Sequence, residues 1–307
     1  MNDIINNLNL RSGKIIIISG PTASGKSAFG KKISQKVNGV IINADALQVY
    51  KELPFLSCQP TKIDFEEIDH LLYSFLSYDQ EFSVKKWLLL AKHHIKETQK
   101  SGKTPVIVGG TGLYISSLID GIHDIPPISE KISQDNQKLY DEIGRDGFMR
   151  KMQKMGYNMQ NIYLLDKNRL IRRMNVVCET GELIEYWQSK PKVNFLKDDE
   201  FIHISLAPDR YDLYENCNLR FKNLFNNDAF EEVESLLEKD GFSDKLQIAK
   251  TIGFMEIKDY MDGKISLDDV VRIATKKTRN FAKRQITWFK NQFKDNIYRI
   301  EDRIKEF

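Results

Sequence analysis

The stretch from Ile15 to Val37 constrains this chain more than any other. Ile15 to Ile18 are four consecutive β-branched residues, which predicts a buried strand. Gly20 to Ser27 then read GPTASGKS, with the spacing G-x-x-x-x-G-K-S, and a helical pattern begins at Ser27. A strand, a glycine-bounded loop and a helix N-terminus in this order predict a phosphate-binding loop. These flanks disfavour the alternative, a glycine-rich turn with a solvated lysine.

Each part of this loop has a chemical use. Gly20 and Gly25 permit backbone angles that bring successive N–H groups around an anion, and the helix start adds unpaired N–H donors. Lys26 supplies a positive charge for phosphate oxygens, and the hydroxyl of Ser27 can ligate Mg²⁺. We therefore predict that the loop binds a diphosphate or polyphosphate. The predicted diphosphate-binding residues are Gly20, Pro21, Thr22, Ala23, Ser24, Gly25, Lys26 and Ser27.

The composition is compatible with many functions, but the pattern of cysteines indicates a reducing compartment. The 307 residues carry a net charge of +3, with 41% hydrophobic and 29% charged residues, as in ordinary globular proteins. Cys58, Cys178 and Cys217 form no C-x-x-C pair, which predicts neither a disulfide framework nor a zinc site. The N-terminal residues lack the apolar run of a signal peptide, and the apolar runs are too short to span a bilayer. We expect a cytoplasmic protein without membrane association.

Strands and helices alternate in the first part of the chain. Further strands are predicted at Gly39–Asp45 and Val106–Val108, and helices at Phe82–Gln99 and from Leu113 onward. Such alternation predicts a parallel sheet with helices on both faces. The segment Lys51–Ile68 is predicted to be irregular, because Pro54 and Pro60 interrupt any helix.

The pattern changes after residue 121. Pro126 and Pro127 mark a junction, and the chain to residue 198 is charged, mostly helical and without strand signals. A strand at Phe201–Pro208 returns the chain to the sheet, and helices follow at 209–225, 229–239, 250–261 and 266–293. The predicted fold class is α/β: a P-loop NTPase-like parallel sheet flanked by helices, with a mostly helical insertion domain and a helical C-terminal part. We expect a first core segment at 1–121, the insertion domain at 122–198, and the completion of the core at 199–307.

The sequence around the loop lacks the other motifs of an ordinary NTPase. The strand Val106–Val108 ends in Gly109-Gly110-Thr111, without the aspartate that holds Mg²⁺ in typical NTPases, and no N-K-x-D guanine-binding sequence is present. Asp45 is the acidic residue that ends a predicted strand. It can be a metal ligand, or a base that faces the group bound above the phosphates.

Five motifs carry a resemblance to a known family. They are GPTASGKS, NADALQVYK at 43–51, VGGTGLY at 108–114, NRLIRR at 168–173 and AKRQITWF at 282–289. In this order and at these spacings they resemble the tRNA dimethylallyltransferases of the bacterial type, also called tRNA isopentenyltransferases or IPP transferases. The resemblance extends from about residue 14 to residue 293, nearly the whole chain.

The resemblance implies a reaction. Members of this family transfer a dimethylallyl group from dimethylallyl diphosphate to N6 of adenosine 37, next to the anticodon, in tRNAs that read codons beginning with U. The products are diphosphate and N6-isopentenyladenosine. On this resemblance the expected partners are tRNA, through its anticodon stem-loop, and dimethylallyl diphosphate, and the expected cofactor is Mg²⁺. We expect a monomer.

The resemblance also implies roles for individual residues. Asp45 resembles the family's general base, which accepts a proton from the weakly nucleophilic adenine amine. Thr111 resembles a threonine that contacts the diphosphate and the reacting region, and Lys26 would stabilise charge on the leaving diphosphate. Arg220 resembles an arginine that binds near the diphosphate. The alternatives are a loop cap for Asp45, a helix N-cap for Thr111 and a surface ion pair for Arg220.

The tRNA-binding residues implied by the resemblance lie in several parts of the chain. Arginines in NRLIRR and a basic helix at 266–293 would hold phosphates and offset the cost of extruding the adenosine from its stack. By composition alone that helix is equally a solvated amphipathic surface, with a stripe of Val271, Ala274, Thr278, Phe281, Gln285 and Trp288. The implied residues are Asp45, Ala46, Leu47, Gln48, Asn168, Arg169, Leu170, Ile171, Arg172, Lys250, Lys283, Arg284 and Gln285.

Four residues depart from the family's pattern. Ala46 replaces a serine, Leu56 a glycine, Gln59 a lysine and Asn175 a glutamate. The loss of the lysine removes a phosphate or RNA contact, so we expect altered affinity or substrate choice. Lys26, Asp45, Thr111 and the AKRQ motif are unaffected, so the expected activity stays the same.

Two other functions compete with this one. A small-molecule enzyme of the same superfamily would prenylate free AMP or ADP, or phosphorylate a nucleotide. The helical insertion and the arginines disfavour it, because a mononucleotide needs no such surface. A non-catalytic RNA-binding protein with a vestigial loop is disfavoured by the intact Lys26, Asp45 and Thr111. Transfer to AMP alone, ATP hydrolysis without transfer, or RNA binding indifferent to diphosphate would favour these alternatives.

Overall fold

A computed structural model describes residues 13–197, 200–224, 227–293 and 297–301. The chain divides into two compact units. The first contains the residues up to 119 and from 195 onward, and the second contains residues 120–194. The predicted insertion domain, 122–198, overlaps most of the second unit, and its end at residue 198 lies outside the described residues.

The first unit is built on a parallel sheet flanked by helices, as the sequence predicts. The strands are β1 Ile15–Ser19, β2 Gly39–Asn43, β3 His70–Leu71, β4 Thr104–Gly109, β5 Phe201–Leu206 and β6 Ile297–Ile300. They lie in the order β3-β2-β4-β1-β5-β6, and each described pair is parallel. Ile17 of β1 lies opposite Ile107 of β4 and His203 of β5. The strand that leads into the glycine loop therefore lies inside the sheet.

Helices account for most of the remaining chain. In chain order they are α1 Lys26–Val37, α2 Lys62–Glu67, α3 Val84–Lys100, α4 Gly112–Asp120, α5 Glu130–Lys154, α6 Met159–Ile162, α7 Lys167–Thr180, α8 Ile184–Gln188, α9 Arg210–Leu224, α10 Asn227–Leu237, α11 Phe254–Met261 and α12 Leu267–Gln292. A 3₁₀ turn at Ile248–Lys250 precedes α11. Among the described residues, none of these helices has the length and apolar character needed to cross a membrane.

Buried apolar side chains hold the sheet and its helices together. All five residues of β1 are buried, as expected for a parallel strand with both faces covered. Phe29 and Ile33 of α1 pack in one cluster with Val106 and Val108 of β4. On α3, Trp87 is fully buried, and its indole N–H donates to the carbonyl oxygen of Asn43 at 2.7 Å. These contacts fix the helices that flank the strand ends.

The prediction that Lys51–Ile68 is irregular throughout is wrong at its end, where α2 lies. The side chain of Thr61 accepts the N–H of Asp64, and the carboxylate of Asp64 accepts the N–H of Thr61. This capping box starts the helix immediately after Pro60, so the proline interrupts nothing. The short strands β3 and β6 were not predicted, because two and four residues give too little alternation to detect.

The C-terminal helices mostly follow the prediction. α9, α10 and α12 lie within the predicted helices at 209–225, 229–239 and 266–293 or overlap them, and residue 225 lies outside the described part of the chain. The predicted helix at 250–261 is divided into the 3₁₀ turn and α11. Gly253 lies between them with φ +103°, a left-handed conformation that a continuous helix excludes.

The buried face of α12 follows the predicted stripe in part. Val271, Phe281 and Trp288 are partly exposed. The two sets share Ala274, Thr278 and Gln285 and differ by one residue at the other three positions, which is within the uncertainty of a sequence pattern. Only the structure shows which arc packs inward. The buried residues of α12 are Val270, Ala274, Thr278, Ala282, Gln285 and Phe289.

The second unit has its own apolar core. Phe148 and Met152 of α5 pack with Leu170 and Met174 of α7. The helical geometry of α5 is interrupted at Gly144, where φ is +65°.

The departure from the family's glutamate at Asn175 is explained in the same unit. The side-chain oxygen of Asn175 accepts a hydrogen bond from the side-chain amide of Asn136 at 2.8 Å, and both residues are buried. The neutral amide of Asn175 already satisfies Asn136, so a charged side chain is not needed at this position.

A buried histidine supports the sheet beneath the glycine loop. His203 of β5 is 2% exposed, and its Nε2 atom lies 2.8 Å from the hydroxyl oxygen of Ser19 at the end of β1. The ring of Phe293 packs edge-on against it at 4.6 Å between centroids. Burial lowers the pKa of His203 to about 4. The imidazole is therefore neutral in the folded protein at neutral pH.

We predict that His203 makes the fold sensitive to mild acid. Its contribution to stability is complete above its unfolded pKa of about 6.5 and declines as the pH falls toward its folded pKa. Between pH 7 and pH 5 this corresponds to about 2 kcal/mol. His203→Gln should remove this part of the pH dependence of the free energy of unfolding, measured by urea denaturation followed by circular dichroism.

The matched control is His93→Gln, because the side chain of His93 is exposed on α3. It should leave the wild-type pH dependence in place. Equal slopes for the two variants and the wild type would contradict the role of His203.

Candidate active site

The glycine loop has the conformation that its sequence predicts. It leaves the sheet at the C-terminal end of β1 and enters α1 at Lys26. Gly25 has φ +83° and ψ +12°, a left-handed conformation that allows the turn into the helix. An ordered turn of this kind at a helix N-terminus directs backbone N–H groups at an anion.

Gln285 joins the glycine loop to a second turn. Its side-chain oxygen accepts the N–H of Thr22 at 2.8 Å, and its side-chain nitrogen donates to the carbonyl oxygen of Gly110 at 2.8 Å. Gln285 lies on the buried face of α12 and is 7% exposed. Both ends of its amide are thus satisfied, and the residue fixes the distance between the loop and the turn after β4.

Helix α9 also holds the loop. The guanidinium of Arg220 donates to the hydroxyl of Thr22 at 2.7 Å, and Asn216 donates to the carbonyl oxygen of Ala23 at 3.1 Å. Lys26 donates to the carbonyl oxygen of Pro21 at 3.2 Å. The contact with Thr22 places the guanidinium of Arg220 at the loop. Two cationic side chains therefore lie at the loop that was predicted to bind a diphosphate.

Asp45 follows β2 at the same edge of the sheet. Its own N–H donates to the side-chain oxygen of Asn43 at 2.8 Å, and its Oδ1 atom accepts the N–H of Leu47 at 3.0 Å. Its Oδ2 atom has no hydrogen-bond partner among the residues that the structure describes. Asp45 therefore caps its own loop with one oxygen, as the loop-cap alternative predicts, and leaves the other available.

Thr111 connects the turn after β4 to the Asp45 segment. Its hydroxyl oxygen accepts the N–H of Ala46 at 2.9 Å, and its backbone N–H donates to the carbonyl oxygen of Ala44 at 3.1 Å. The hydroxyl thus contacts the neighbour of Asp45, while the carbonyl oxygen of Thr111 accepts the N–H of Ile115 at 3.3 Å at the start of α4. The serine usually found at Ala46 is not needed for this contact, because the backbone N–H makes it.

Close packing explains why a glycine ends β4. A Cβ atom on Gly109 would lie 2.1 Å from the carbonyl oxygen of Ala44, a distance that no side chain tolerates. The backbones of β4 and of the Asp45 segment meet at this point. Any substitution here would push the Asp45 segment away from Thr111.

Asp45, Thr22 and Arg220 line one cleft. Its other walls are largely apolar, and side chains from four separate segments form them. The lining residues are Thr22, Asp45, Leu47, Leu56, Ser57, Cys58, Arg220, Thr251, Ile252, Thr278 and Phe281. A charged end and an apolar wall in one cleft suit a ligand that joins an anionic group to a hydrocarbon.

Some of these residues were not predicted from the sequence. Ser57, Thr251, Ile252 and Thr278 belong to no motif, and their place in the wall depends on the packing of distant segments. Leu56, a departure from the family's glycine, is buried and lines the wall.

Gln59, which replaces a lysine, is held in the same loop. It donates to the carbonyl oxygen of Tyr50 at 2.8 Å and accepts from the hydroxyl of Ser74 at 2.6 Å. These contacts assign Gln59 to the support of the loop.

The predicted tRNA-binding residues fall into three groups by exposure: buried, half-buried and exposed. On α7 of the second unit, Leu170 and Ile171 are buried in the core of that unit, so their side chains stabilise it and are not on its surface. Gln285 of the first unit is also buried. Ala46, Leu47 and Gln48 are half-buried beside Asp45. The exposed residues are Asn168, Arg169, Arg172, Lys250, Lys283 and Arg284.

A magnesium ion would find few protein ligands here. Ser27 is exposed in the first turn of α1. Among the described residues, no group of three or more His, Cys, Asp or Glu side chains could hold a metal. Mg²⁺ often keeps several waters and binds substrate phosphates with few protein ligands. The chemistry of the site therefore fits a Mg²⁺ ion held by Ser27, water and a bound diphosphate.

The chain is similar to known proteins over nearly its whole length. The family model for IPP transferase matches residues 48–292, and that for isopentenyl transferase matches residues 13–80. The tRNA dimethylallyltransferase of Rickettsia bellii is 41% identical over 289 residues, which cover 94% of this chain and 91% of the relative.

Solved structures of two transferases are also similar to this chain. The tRNA isopentenylpyrophosphate transferase of Bacillus halodurans has a TM-score of 0.66 and 26% identity, with 94% of this chain and 90% of that chain covered. The corresponding Staphylococcus epidermidis enzyme has a TM-score of 0.64 and 28% identity, with 93% and 92% covered. The family model matches well over half of the chain, and the relative is well above 30% identical. This chain therefore belongs to the tRNA dimethylallyltransferase (IPP transferase) family.

Proposed function

We propose that this protein transfers a dimethylallyl group from dimethylallyl diphosphate to N6 of adenosine 37 in tRNA. The observation that carries the proposal is the cleft in which Asp45 and the glycine loop lie beside an apolar wall. Family membership supports the reaction, because the relatives are tRNA dimethylallyltransferases. The products are diphosphate and N6-isopentenyladenosine in tRNAs that read codons beginning with U.

The loop would bind the diphosphate of the donor. The N–H groups around Gly25 and the start of α1 would face its oxygens, and Lys26 and Arg220 would add two positive charges. Arg220 already contacts Thr22 of the loop, so it needs little movement to reach a ligand there. Bound Mg²⁺, with Ser27 as a ligand, would neutralise further charge on the leaving diphosphate.

Asp45 would act as the general base. The C1–O bond of the donor breaks, and its electron pair leaves with the diphosphate. The lone pair of N6 forms the new bond to C1, and the N6 proton passes to the available Oδ2 atom of Asp45. The N–H of Leu47 holds Oδ1, and Thr111 holds the adjacent backbone at Ala46, so these contacts would orient the carboxylate.

The apolar wall would hold the dimethylallyl group. Breaking an allylic C–O bond develops positive charge on carbon, and water would capture such a centre. The apolar side chains that line this side of the cleft would exclude water around the donor: Leu47, Leu56, Ile252 and Phe281. The wall therefore favours transfer to the amine over hydrolysis of the donor.

The exposed cations would bind the tRNA. Lys250, Lys283 and Arg284 are exposed on the first unit, and Arg169 and Arg172 are exposed on α7 of the second. Phosphate contacts would offset the cost of about a few kcal/mol for extruding a stacked adenosine.

A tRNA substrate and three cysteines that form no disulfide are consistent with action in the cytoplasm. We propose a monomer, which light scattering can test.

The deciding experiment uses radiolabelled dimethylallyl diphosphate, Mg²⁺ and an unmodified tRNA with adenosine at position 37. Label should enter the tRNA and be lost when adenosine 37 is replaced. A parallel reaction contains AMP in place of tRNA. Label in AMP alone would establish free-nucleotide prenylation, and no label in either would contradict prenyl transfer.

We predict that Asp45→Asn lowers turnover by about 10²–10⁴-fold, the usual range for removing a general base. Asparagine keeps an oxygen for the N–H of Leu47, so the loop and tRNA binding should persist. Single-turnover transfer in the preformed complex measures the effect. Asp69→Asn, at an exposed aspartate of the same unit, serves as the control. Weaker tRNA binding with unchanged turnover would exclude Asp45 as the base.

We predict that Gln285→Ala weakens donor binding by at least about tenfold. The change removes the acceptor of Thr22 N–H and the donor to Gly110, so the loop loses its fixed position. Calorimetric titration with a non-reactive analogue of dimethylallyl diphosphate measures the affinity. Asn280→Ala, at an exposed residue of the same helix, should bind as the wild type does. Equal affinity of both variants would show that the loop does not depend on Gln285.

We predict that Arg284→Ala weakens tRNA binding and reduces the slope of log K against log salt by about 1. Arg284 is exposed, and its guanidinium lies 5.7 Å from the ring centroid of Phe281. The control is Lys264→Ala, because Lys264 already pairs with Asp259 and Asp262. An unchanged slope for Arg284→Ala would assign this face of α12 to solvent.

A further inference from the structure

One wall of the cleft is a turn whose backbone is held by a distant carboxylate. The turn, 54–58, supplies Leu56, Ser57 and Cys58 to the cleft. Glu232 on α10 accepts the N–H of Phe55 at 2.6 Å with Oε1 and the N–H of Leu56 at 2.9 Å with Oε2. Two N–H groups on the two oxygens of one carboxylate make a strong, directional contact.

This turn would not keep its shape without support. Cys58 has φ +56°, in the left-handed region that residues with a Cβ rarely adopt. Its own bonds, such as those from Ser57 N–H to the carbonyl of Leu53 and from Cys58 N–H to that of Phe55, hold one part of it. Glu232 holds the other N–H groups. Such a conformation persists only where surrounding contacts determine it.

The same turn is joined to the Asp45 segment. The side-chain amide of Gln48 donates to the carbonyl oxygens of Ser57 at 2.9 Å and Cys58 at 2.8 Å. Gln48 follows Leu47, whose N–H donates to Oδ1 of Asp45. A continuous set of contacts therefore runs from Glu232, through the turn, to the carboxylate of Asp45.

We propose that Glu232 is a positioning residue for prenyl transfer: it fixes the turn 54–58 and, through Gln48, the segment that carries Asp45. The inference rests on the proposed function and assigns Glu232 no contact with substrate. Its removal should lower the rate of the chemical step, because the apolar wall and Asp45 both shift relative to the glycine loop.

The surroundings of Glu232 agree with this role. Burial raises its pKa to about 7, the N–H groups of Leu56 and Phe55 oppose that shift, and the nearby charge of Asp228 adds to it. A carboxylate in such a place disfavours folding at neutral pH. The presence of Glu232 is explained if its two oxygens are needed to hold the backbone N–H groups of the turn 54–58 at the cleft wall.

The test compares Glu232→Gln with Glu234→Gln, because Glu234 is exposed on the same helix. Glutamine keeps one acceptor but presents N–H donors to the second backbone N–H, so the turn should loosen. Hydrogen exchange at the amides of Phe55 and Leu56 should accelerate in Glu232→Gln alone. Single-turnover transfer at saturating donor and tRNA should fall by about tenfold or more, with the Kd for tRNA within about twofold of the wild type.

A second variant covers the case in which Glu232→Gln does not fold. Glu232→Asp keeps the charge but is one methylene shorter, and it should show the same faster exchange and a smaller loss of rate. Wild-type transfer rates in a folded Glu232 variant would overturn the proposal, even with faster exchange. A rate loss explained entirely by the unfolded fraction would also overturn it. If the wild type itself transfers no label, the proposed function fails, and this role of Glu232 fails with it.

Discussion

The side-chain amide of Gln285 is the contact on which the candidate site depends. It joins the N–H of Thr22 in the glycine loop to the carbonyl oxygen of Gly110 in the turn after β4. Both groups are backbone atoms at partly or fully buried positions, so the amide satisfies them and sets their spacing together. The turn after β4 carries Thr111, which holds the Asp45 segment. The glycine loop and the Asp45 segment thereby acquire a fixed separation.

This dependence explains why the C-terminal helices are part of the site. β1, β2 and β4 bring the glycine loop, Asp45 and Thr111 to one edge of the sheet, as parallel topology requires. The sheet alone leaves those loops open on one side. α9 adds Arg220 and Asn216, and α12 adds Gln285, each through a hydrogen bond to the glycine loop. A transfer reaction that water must not interrupt needs this cover, whereas a phosphate-binding loop by itself does not.

The sequence predicts features that depend on neighbouring residues, but it does not predict contacts between distant segments. The apolar run before GPTASGKS predicts a buried strand, and the glycines of VGGTGLY predict a tight turn. From such local patterns the sequence predicts the parallel sheet and the position of Asp45 and Thr111 at strand ends. Family resemblance, and not periodicity, indicated Gln285 and Arg220. Thr251, Ile252 and Ser57 line the cleft because distant segments meet there, and no local pattern records that. Leu170 and Ile171 lie in a motif with arginines, but helical geometry places them on the buried face of α7.

Two loops that form walls of the cleft are held in place in the same way. A loop has few apolar contacts of its own, so its backbone groups must be held by something else. Glu232 of α10 holds the turn 54–58, and Glu256 of α11 accepts the N–H of Gly253 at 3.1 Å, next to Thr251 and Ile252. Glu256 is 4% exposed and pairs with Lys277 of α12. Glu232 thus holds the turn 54–58 from another helix, and Glu256 holds the residue that follows Ile252. In both walls these backbone contacts come from side chains that do not line the cleft.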